Sequence, residues 1–262
     1  MTGETRWWRR LLGRPISVCA GVGLLALGGS DGNIYVLDQS TGRLGLSFKT
    51  SNVGGVRGVA INRADKTLVT TERGRRIAHW SLTTGGQLRL SGEHSGEPLA
   101  VAFDQLRGYW VSGGRESTIR IWDISLQPVH VLRGGDRMGV RCLAFAPNGN
   151  HFAAGYGDGT IAVCDARRWE IAKILEGHTE RVFSLAFLKD SNTLISGAAD
   201  GNCYIWNLNT GEFKRLLGFE RGYGKSAVEC VAVSPNNSHI AFASAGGKVR
   251  VYRWPIDARL IE

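Results

Sequence analysis

The stretch NTLISGAADGNCYIWN, residues 192–207, decides the fold of this chain. It joins a short apolar run to a second run through an Asp-Gly turn, and the second run ends in Trp-Asn. Runs this short, rich in β-branched and aromatic residues and bounded by turn residues, predict two paired β-strands. Most of the pattern returns at a fixed distance along the chain, so the pair is one part of a repeated unit.

Six such runs follow turns, and the fifth residues of successive runs are 43, 42, 42, 42 and 46 positions apart. Further apolar runs keep the same register on either side, which gives four short strands in each unit. Four strands with a period near 42 residues predict a propeller blade, a small twisted sheet that buries both faces against its neighbours. The six runs are NIYVLD (33–38), RIAHWS (76–81), TIRIWD (118–123), TIAVCD (160–165), NCYIWN (202–207) and KVRVYR (248–253).

The fold class predicted is therefore all-β: a β-propeller of six four-stranded antiparallel blades, formed by residues 15–262. Within a blade, the strands are named a to d from the innermost to the outermost. Residues 1–14 form an N-terminal extension in which WRRLLG (8–13) copies FKRLLG (213–218), an outer strand. The extension is predicted to complete the last blade as a latching d-strand. DARLIE (257–262) has a similar pattern and is an alternative for that place, and a third possibility is that the chain is a segment of a longer propeller.

The amino-acid composition and net charge indicate which class of protein the chain belongs to. The chain has 262 residues, of which 43% are apolar and 21% charged, as in soluble globular proteins. Its net charge of +9 permits an anionic partner without specifying one. The five cysteines are scattered inside apolar runs, so we expect free core thiols and a cytoplasmic location. Residues 6–29 are similar to a signal peptide and too short to span a membrane, but the repeat explains the same residues as strands.

The fifth unit carries Gly177-His178 before strand a, Ser196 in strand b, Asp200 in the b–c turn and Trp206 in strand c. These residues resemble the WD-repeat (WD40) β-propeller family, and the resemblance runs from about residue 6 to residue 258. It implies that the His, Ser, Asp and Trp side chains form a buried hydrogen-bond relay, in which each polar group satisfies the next.

The relay is complete in few units. The third unit has the same pattern with a Glu in place of the Asp: His94, Ser112, Glu116 and Trp122. The second keeps Thr70 and Trp80, but Gly74 occupies the place of the acid, which predicts a broken relay. The relay gives His94 and His178 structural roles, and the remaining histidines show no metal-ligand spacing. No metal or cofactor is expected.

A second resemblance is confined to one place. SDGNIYVLDQSTGRLGLSF (30–48) is similar to a repeat of quinoprotein propellers, which would imply a quinone-binding enzyme. It occurs once, whereas the other units follow the WD pattern. Motifs for nucleophilic, phosphate-binding and zinc-dependent catalysis are absent from the sequence. The chain is therefore predicted to be a non-catalytic scaffold for protein–protein interaction.

The WD resemblance implies that residues flanking strand a, and the residue before the turn acid, point to the top face of the propeller. These positions are predicted to bind partners, and they hold Arg57, Arg115, Arg141, Arg181, Phe183 and Glu229. One interpretation is scattered solvated charge. The sharper one is a set of arginines that binds an acidic or phosphorylated segment, with an exposed Phe183 as apolar anchor.

A nucleic-acid-binding propeller that uses the same basic face is the alternative function. It is less favoured because the basic residues are not interleaved with a regular series of aromatic residues, which stacking platforms require. No membrane partner is expected.

Overall fold

The computed structural model describes residues 15–21, 23–50, 54–92, 94–135, 137–216 and 226–256. These residues form 23 β-strands in six antiparallel sheets and no helix. The predicted all-β propeller of six antiparallel blades is confirmed. The N-terminal extension 1–14 and the segment 257–262, the two candidates for the last outer strand, lie outside the described residues.

The chain divides into two compact units, Met1–Glu116 with Arg120–Val129, and Ser117–Ile119 with His130–Glu262. The boundary falls within the third blade. Blade 1 contains β1 (Pro15–Gly21), β2 (Leu24–Gly29), β3 (Asn33–Asp38) and β4 (Leu44–Lys49). Blade 2 contains β5 (Val56–Asn62), β6 (Thr67–Glu72), β7 (Arg76–Ser81) and β8 (Gln87–Ser91). Blade 3 contains β9 (Pro98–Phe103), β10 (Trp110–Gly114), β11 (Thr118–Trp122) and β12 (Pro128–Arg133).

The remaining three blades belong to the second unit. Blade 4 contains β13 (Val140–Phe145), β14 (His151–Tyr156), β15 (Ile161–Asp165) and β16 (Glu170–Leu175). Blade 5 contains β17 (Val182–Phe187), β18 (Thr193–Ala198), β19 (Cys203–Asn207) and β20 (Phe213–Leu216). Blade 6 has three strands among the described residues: β21 (Val228–Val233), β22 (His239–Ser244) and β23 (Val249–Arg253).

The Asp-Gly pairs of the sequence form the turns between strands b and c. In blade 5, Gly201 adopts a φ of 80°, which a residue without Cβ reaches at no steric cost. The Asp200 side chain accepts the backbone N–H of Asn202 at 2.9 Å, and Asp31 and Asp158 accept the N–H two residues on in the same way. The turn chemistry thus fixes the register of the b–c hairpins of blades 1, 4 and 5.

Apolar side chains of neighbouring blades interdigitate within each unit. In the first unit, Val36 of blade 1 lies in one buried cluster with Leu68 and Trp80 of blade 2. In the second unit, Val163 of blade 4 lies in a cluster with Trp206 of blade 5. The residue at the Trp position of strand c therefore helps to seal a blade against the preceding one. Burial of both sheet faces supplies the main stabilisation of such a fold.

Candidate partner-binding site

We call the residues around the start of strand a and the b–c turn the upper edge of a blade. At this edge the inner strand begins with a β-bulge. The pairing of β5 with β6 skips one residue between Val56 and Gly58, which leaves Arg57 without a partner residue on β6. A bulge bends the strand and re-aims the extra side chain. The same irregularity in blades 4, 5 and 6 leaves three more predicted partner-binding residues in a bulge: Arg141, Phe183 and Glu229.

Three arginines of the first unit converge on one carboxylate, between the upper edges of blades 2 and 3. Arg57 Nε lies 3.1 Å from Glu97 Oε1, and Arg115 Nε lies 3.0 Å from Glu97 Oε2. Arg73 Nε lies 3.6 Å from Glu97 Oε1. We call these four residues the Glu97 cluster. The structure thus brings together two of the predicted partner-binding residues, Arg57 and Arg115, and adds two that the sequence analysis did not select.

Both additions had a signal in the sequence. Arg73 and Arg115 each precede the position of the turn acid, which is occupied by Gly74 in blade 2. The same repeat alignment that selected Arg115 therefore points to Arg73. Glu97 directly precedes strand a of blade 3, as Arg181 directly precedes strand a of blade 5, so the positions that selected Arg181 also include Glu97. Its role follows from the packing of β5 against β9, which places Arg57 beside it.

The Glu97 cluster places three guanidinium groups around one carboxylate. Burial raises the pKa of Glu97, but the hydrogen bonds and charges of Arg115 and Arg57 outweigh burial and hold that pKa below its ordinary value. Glu97 is therefore ionised at neutral pH. Among the described residues, Arg57 and Arg115 donate only from Nε, so the four N–H groups on the terminal nitrogens of each arginine remain for another acceptor. The Arg115 side chain is 59% exposed and the Arg57 side chain 27%.

The other four predicted partner-binding residues lie in the second unit and are not gathered in the same way. Arg141 is half-buried and places Nη2 3.5 Å from the carbonyl oxygen of Met138. Arg181 and Glu229 are exposed. Phe183 is half-buried, so the expectation that it is exposed was wrong, because β17 packs beside the next inner strand, β21. No hydrogen bond or ion pair between described residues links Arg181, Phe183 and Glu229.

The four relay residues of blade 5 form a continuous chain of hydrogen bonds. Trp206 Nε1–H donates to Ser196 Oγ at 2.8 Å, and Ser196 Oγ lies 2.7 Å from His178 Nε2. His178 Nδ1 lies 2.9 Å from Asp200 Oδ2, which also accepts the backbone N–H of Thr179 at 3.0 Å. Every donor finds an acceptor when His178 carries its proton on Nδ1. These side chains stabilise the upper edge and are not available for chemistry.

Blade 3 repeats this chain with a longer acid. Trp122 Nε1–H donates to Ser112 Oγ at 2.8 Å, and Ser112 Oγ lies 2.7 Å from His94 Nε2. His94 Nδ1 is hydrogen-bonded to Glu116 Oε1. Glu116 follows Arg115 directly, so the relay also anchors one arginine of the Glu97 cluster.

Blade 2 has a relay that the sequence analysis missed. Trp80 Nε1–H donates to Thr70 Oγ1 at 2.9 Å, and Thr70 Oγ1 donates to Glu72 Oε1 at 2.9 Å. The prediction that the relay breaks at Gly74 was therefore wrong. The longer side chain of Glu72, at the end of β6, reaches the hydroxyl directly and replaces the His–Asp pair. Glu72 is fully buried, and burial raises its pKa above the ordinary value against the opposing effects of Thr70 and Arg76.

The part of the chain that the structure describes holds no group of three or more His, Cys, Asp or Glu side chains placed to bind a metal ion, and no helix that is long and apolar enough to cross a membrane. All five cysteines are free, and burial raises the pKa of the Cys142 and Cys164 thiols to about 12. Cys230 is exposed, contrary to prediction.

Comparisons with known proteins agree with this architecture. The family described as "WD domain, G-beta repeat" matches residues 86–123, 126–165, 169–207 and 214–253. Curated relatives include transducin beta-like protein 3 of Bos taurus, 26% identical over 117 residues, and of Mus musculus, 27% identical over 117 residues. Each match covers 44% of this chain and 14% of the relative. The chain therefore corresponds to a small part of the length of these relatives. Blade 1 lies outside the family match, although it has the same four-stranded topology.

Proposed function

Because the chain belongs to the WD domain, G-beta repeat family, whose propellers generally mediate protein–protein interaction, we propose that it is a non-catalytic scaffold that binds acidic or phosphorylated segments of partner proteins. The binding surface is formed by the upper edges of the blades, where the bulged inner strands present arginines. The Glu97 cluster of the first unit is its strongest element. In the second unit, Arg141 and Arg181 carry positive charge at the upper edges of blades 4 and 5.

One observation carries this proposal: two arginines share one carboxylate through Nε and leave their terminal nitrogens without a partner among the described residues. Most exposed arginines are mobile and lose side-chain entropy when they bind a ligand. Arg57 and Arg115 are already held by Glu97, so less entropy is lost when an acceptor binds. The guanidinium fork pairs with carboxylate or phosphate through two parallel hydrogen bonds. The arrangement therefore suits an anionic segment.

A protein segment fits this surface better than single-stranded nucleic acid. Nucleic-acid platforms stack successive bases on exposed aromatic side chains. Of the predicted upper-edge residues, only Phe183 is aromatic, and it is half-buried. Association with a protein segment needs charge pairing, which the arginines of the upper edges offer.

The same proposal includes a cytoplasmic location. Five free thiols, of which Cys142, Cys164 and Cys203 are buried, suit a reducing compartment, where disulfides rarely persist. A fluorescent fusion of the full chain in its native cell tests this, and secretion of the fusion would contradict it.

The function is tested by affinity capture from native extract followed by titration of the purified partner. We expect the double substitution Arg141→Glu with Arg181→Glu to weaken binding on the order of a hundredfold, since charge-assisted contacts contribute about 1.5–3 kcal/mol each. The single variant Arg181→Glu should change the melting temperature little, because Arg181 is exposed. Arg63→Glu is the matched control, because Arg63 is exposed just beyond the opposite end of β5 from Arg57. Unchanged binding by the double variant, with loss in Arg63→Glu, would reject the upper edges as the binding surface.

Binding of generic polyanions that falls steeply with salt would instead favour nucleic acid. We expect modest salt dependence and a saturable protein partner. A double-stranded oligonucleotide of random sequence serves as the competitor, and displacement of the partner by it at low micromolar concentration would contradict the proposed scaffold role.

A further inference from the structure

We infer that Glu97 is a positioning residue, which strengthens the binding of an acidic partner segment by holding Arg57 and Arg115 in a binding orientation. It acts through these two arginines. The inference rests on the proposed function and makes it more specific, because it names the side chain that controls affinity at the upper edges of blades 2 and 3. Charge alone predicts the opposite, since a carboxylate beside the site repels an anionic segment.

The backbone of Glu97 is fixed against the b–c turn of its own blade. The backbone N–H of Arg115 donates to the carbonyl oxygen of Glu97 at 3.0 Å. Two glycines permit this close packing: a Cβ at Gly114 would overlap that carbonyl oxygen, and a Cβ at Gly96 would lie 3.0 Å from the backbone nitrogen of Glu116. The segment that leads into β9 therefore has a fixed place beside the turn, and the Glu97 side chain starts from a fixed Cα.

The side chain of Glu97 divides its two oxygens between two blades. Oε1 accepts Nε–H of Arg57 from blade 2 at 3.1 Å, and Oε2 accepts Nε–H of Arg115 from blade 3 at 3.0 Å. Each guanidinium group is therefore held at Nε, whereas its terminal nitrogens have no partner among the described residues. These terminal N–H groups can form two parallel hydrogen bonds to the carboxylate of an Asp or Glu on a partner.

The gain from orientation should exceed the loss from repulsion. The side chains of Arg115 and Arg57 reach solvent, while that of Glu97 is the least exposed of the three. Without Glu97, each arginine would lose rotamer freedom on binding, which lowers affinity about twofold to tenfold per side chain. Repulsion between two carboxylates on opposite sides of a guanidinium group that is open to water lowers affinity only about threefold.

Blade 5 has an acid in a comparable place without this arrangement. Glu180 lies two residues before β17, at the upper edge, and is exposed. Its side chain forms no hydrogen bond or ion pair with a residue that the structure describes. Glu180→Gln and Glu97→Gln therefore remove the same charge from two upper edges, but only the second substitution releases arginines.

The experiment titrates the full chain with two peptide libraries that are centred on glutamate or on glutamine and are otherwise equal in composition. We expect the wild type to prefer the glutamate library, and Arg57→Gln with Arg115→Gln to abolish that preference. Glu97→Gln should weaken glutamate binding about threefold to tenfold, although it makes the surface more positive. Glu97→Asp, which keeps the charge on a shorter side chain, should also weaken it, whereas Glu180→Gln should not.

A double-mutant cycle tests whether Glu97 acts through the arginines. In a background of Arg57→Gln or Arg115→Gln, Glu97→Gln should have a smaller effect than in the wild type, because one of the two arginines that it holds is gone. Thermal melts show that each variant is folded at the temperature of the titration. An equal effect in all three backgrounds would show that Glu97 acts on the fold, which overturns the inference.

The outcomes separate this inference from the proposed function. If the double arginine variant loses the glutamate library but Glu97→Gln binds it as tightly as the wild type or more tightly, the inference is overturned and the proposed function stands. If the wild type binds both libraries equally, both are overturned for this surface. Weaker binding by Glu180→Gln would show that the loss is not specific to Glu97, which also overturns the inference.

Discussion

In blades 5 and 2, the buried indole N–H of the strand c Trp is satisfied by two different chains of hydrogen bonds. In blade 5 the donor chain runs from Trp206 through Ser196 and His178 to Asp200. In blade 2 it runs from Trp80 through Thr70 to Glu72, with no histidine. Both satisfy the buried Trp and hydroxyl groups, which would otherwise cost stability. The difference is the acid at the end of the chain, since the hydrogen bonds and charge that hold Asp200 lower its pKa and burial raises the pKa of Glu72.

The largest expected effect comes from the part that the two blades share. Trp206→Ala and Trp80→Ala should each lower the free energy of unfolding by about 3–5 kcal/mol, because both indoles are buried and their removal leaves a cavity. Urea denaturation of both variants measures this. Leu88→Ala is the control, since Leu88 is 56% exposed and its truncation should have a small effect. A near-wild-type midpoint for either Trp variant would show that its relay does not stabilise the blade.

The acids should differ in what their removal leaves unpaired. Asp200→Ala should cost about 1–3 kcal/mol, because it strands His178 Nδ1–H and the backbone N–H groups of Thr179 and Asn202. Glu72→Ala removes one acceptor, that of Thr70, and should cost less, about 1 kcal/mol. The same urea series compares them. Equal losses in the two variants would mean that the short relay of blade 2 is as strongly coupled to the fold as the long one.

The pH dependence of the Asp200 contribution should lie in the acidic range. Burial raises the pKa of Asp200, but the hydrogen bond and charge of His178 and the backbone donors lower it further, so the folded pKa lies below the unfolded one. Its contribution to stability is therefore present above the unfolded Asp pKa of about 3.9 and lost as pH falls through the folded pKa. The stability difference between wild type and Asp200→Asn should narrow below about pH 4. A difference that stays constant down to pH 3 would argue against this linkage.

Glu72 should show the opposite sign and the smallest effect. Its folded pKa is raised by burial, so its contribution is full below the unfolded Glu pKa of about 4.3 and is lost as pH rises through the folded pKa. Glu72→Gln removes this loss and should stabilise the protein slightly at pH 7 but not at pH 4. Thermal melts at the two pH values measure the gain, with Asp200→Asn destabilised at pH 7 for comparison. Destabilisation of Glu72→Gln at pH 7 would show that Glu72 is held as an anion.

The two relays also show how far sequence reasoning reaches. The His, Ser, Asp and Trp positions of blade 5 could be aligned because each lies at a fixed offset within a repeat of constant length. Glu72 could not be found in this way, since it lies two positions before the turn acid and acts through its longer side chain. A repeat alignment compares positions in the sequence, whereas a hydrogen bond also depends on the length of the side chain.

Some residues of the candidate partner-binding site could be identified from the sequence, whereas other features of the site required the structure. Arg57 and Arg115 could be selected because they recur at positions that the family directs to one edge. The bulge at Arg57 arises from the pairing of β5 with β6, so it cannot be identified from the sequence of β5 alone. The half-buried state of Phe183 depends on the packing of β17 beside β21, so the exposure expected from its position in the repeat was wrong.

The sequence by itself determined the six-fold repeat, the order of strands within each blade and the b–c turns, because these depend on local periodicity and on the side-chain chemistry of neighbouring residues. Only the tertiary structure decided that Glu97 of blade 3 lies between Arg57 and Arg73 of blade 2 and Arg115 of its own blade. Arg57 and Glu97 are 40 residues apart in sequence. Their contact arises because twisted sheets pack face to face and bring two inner strands together.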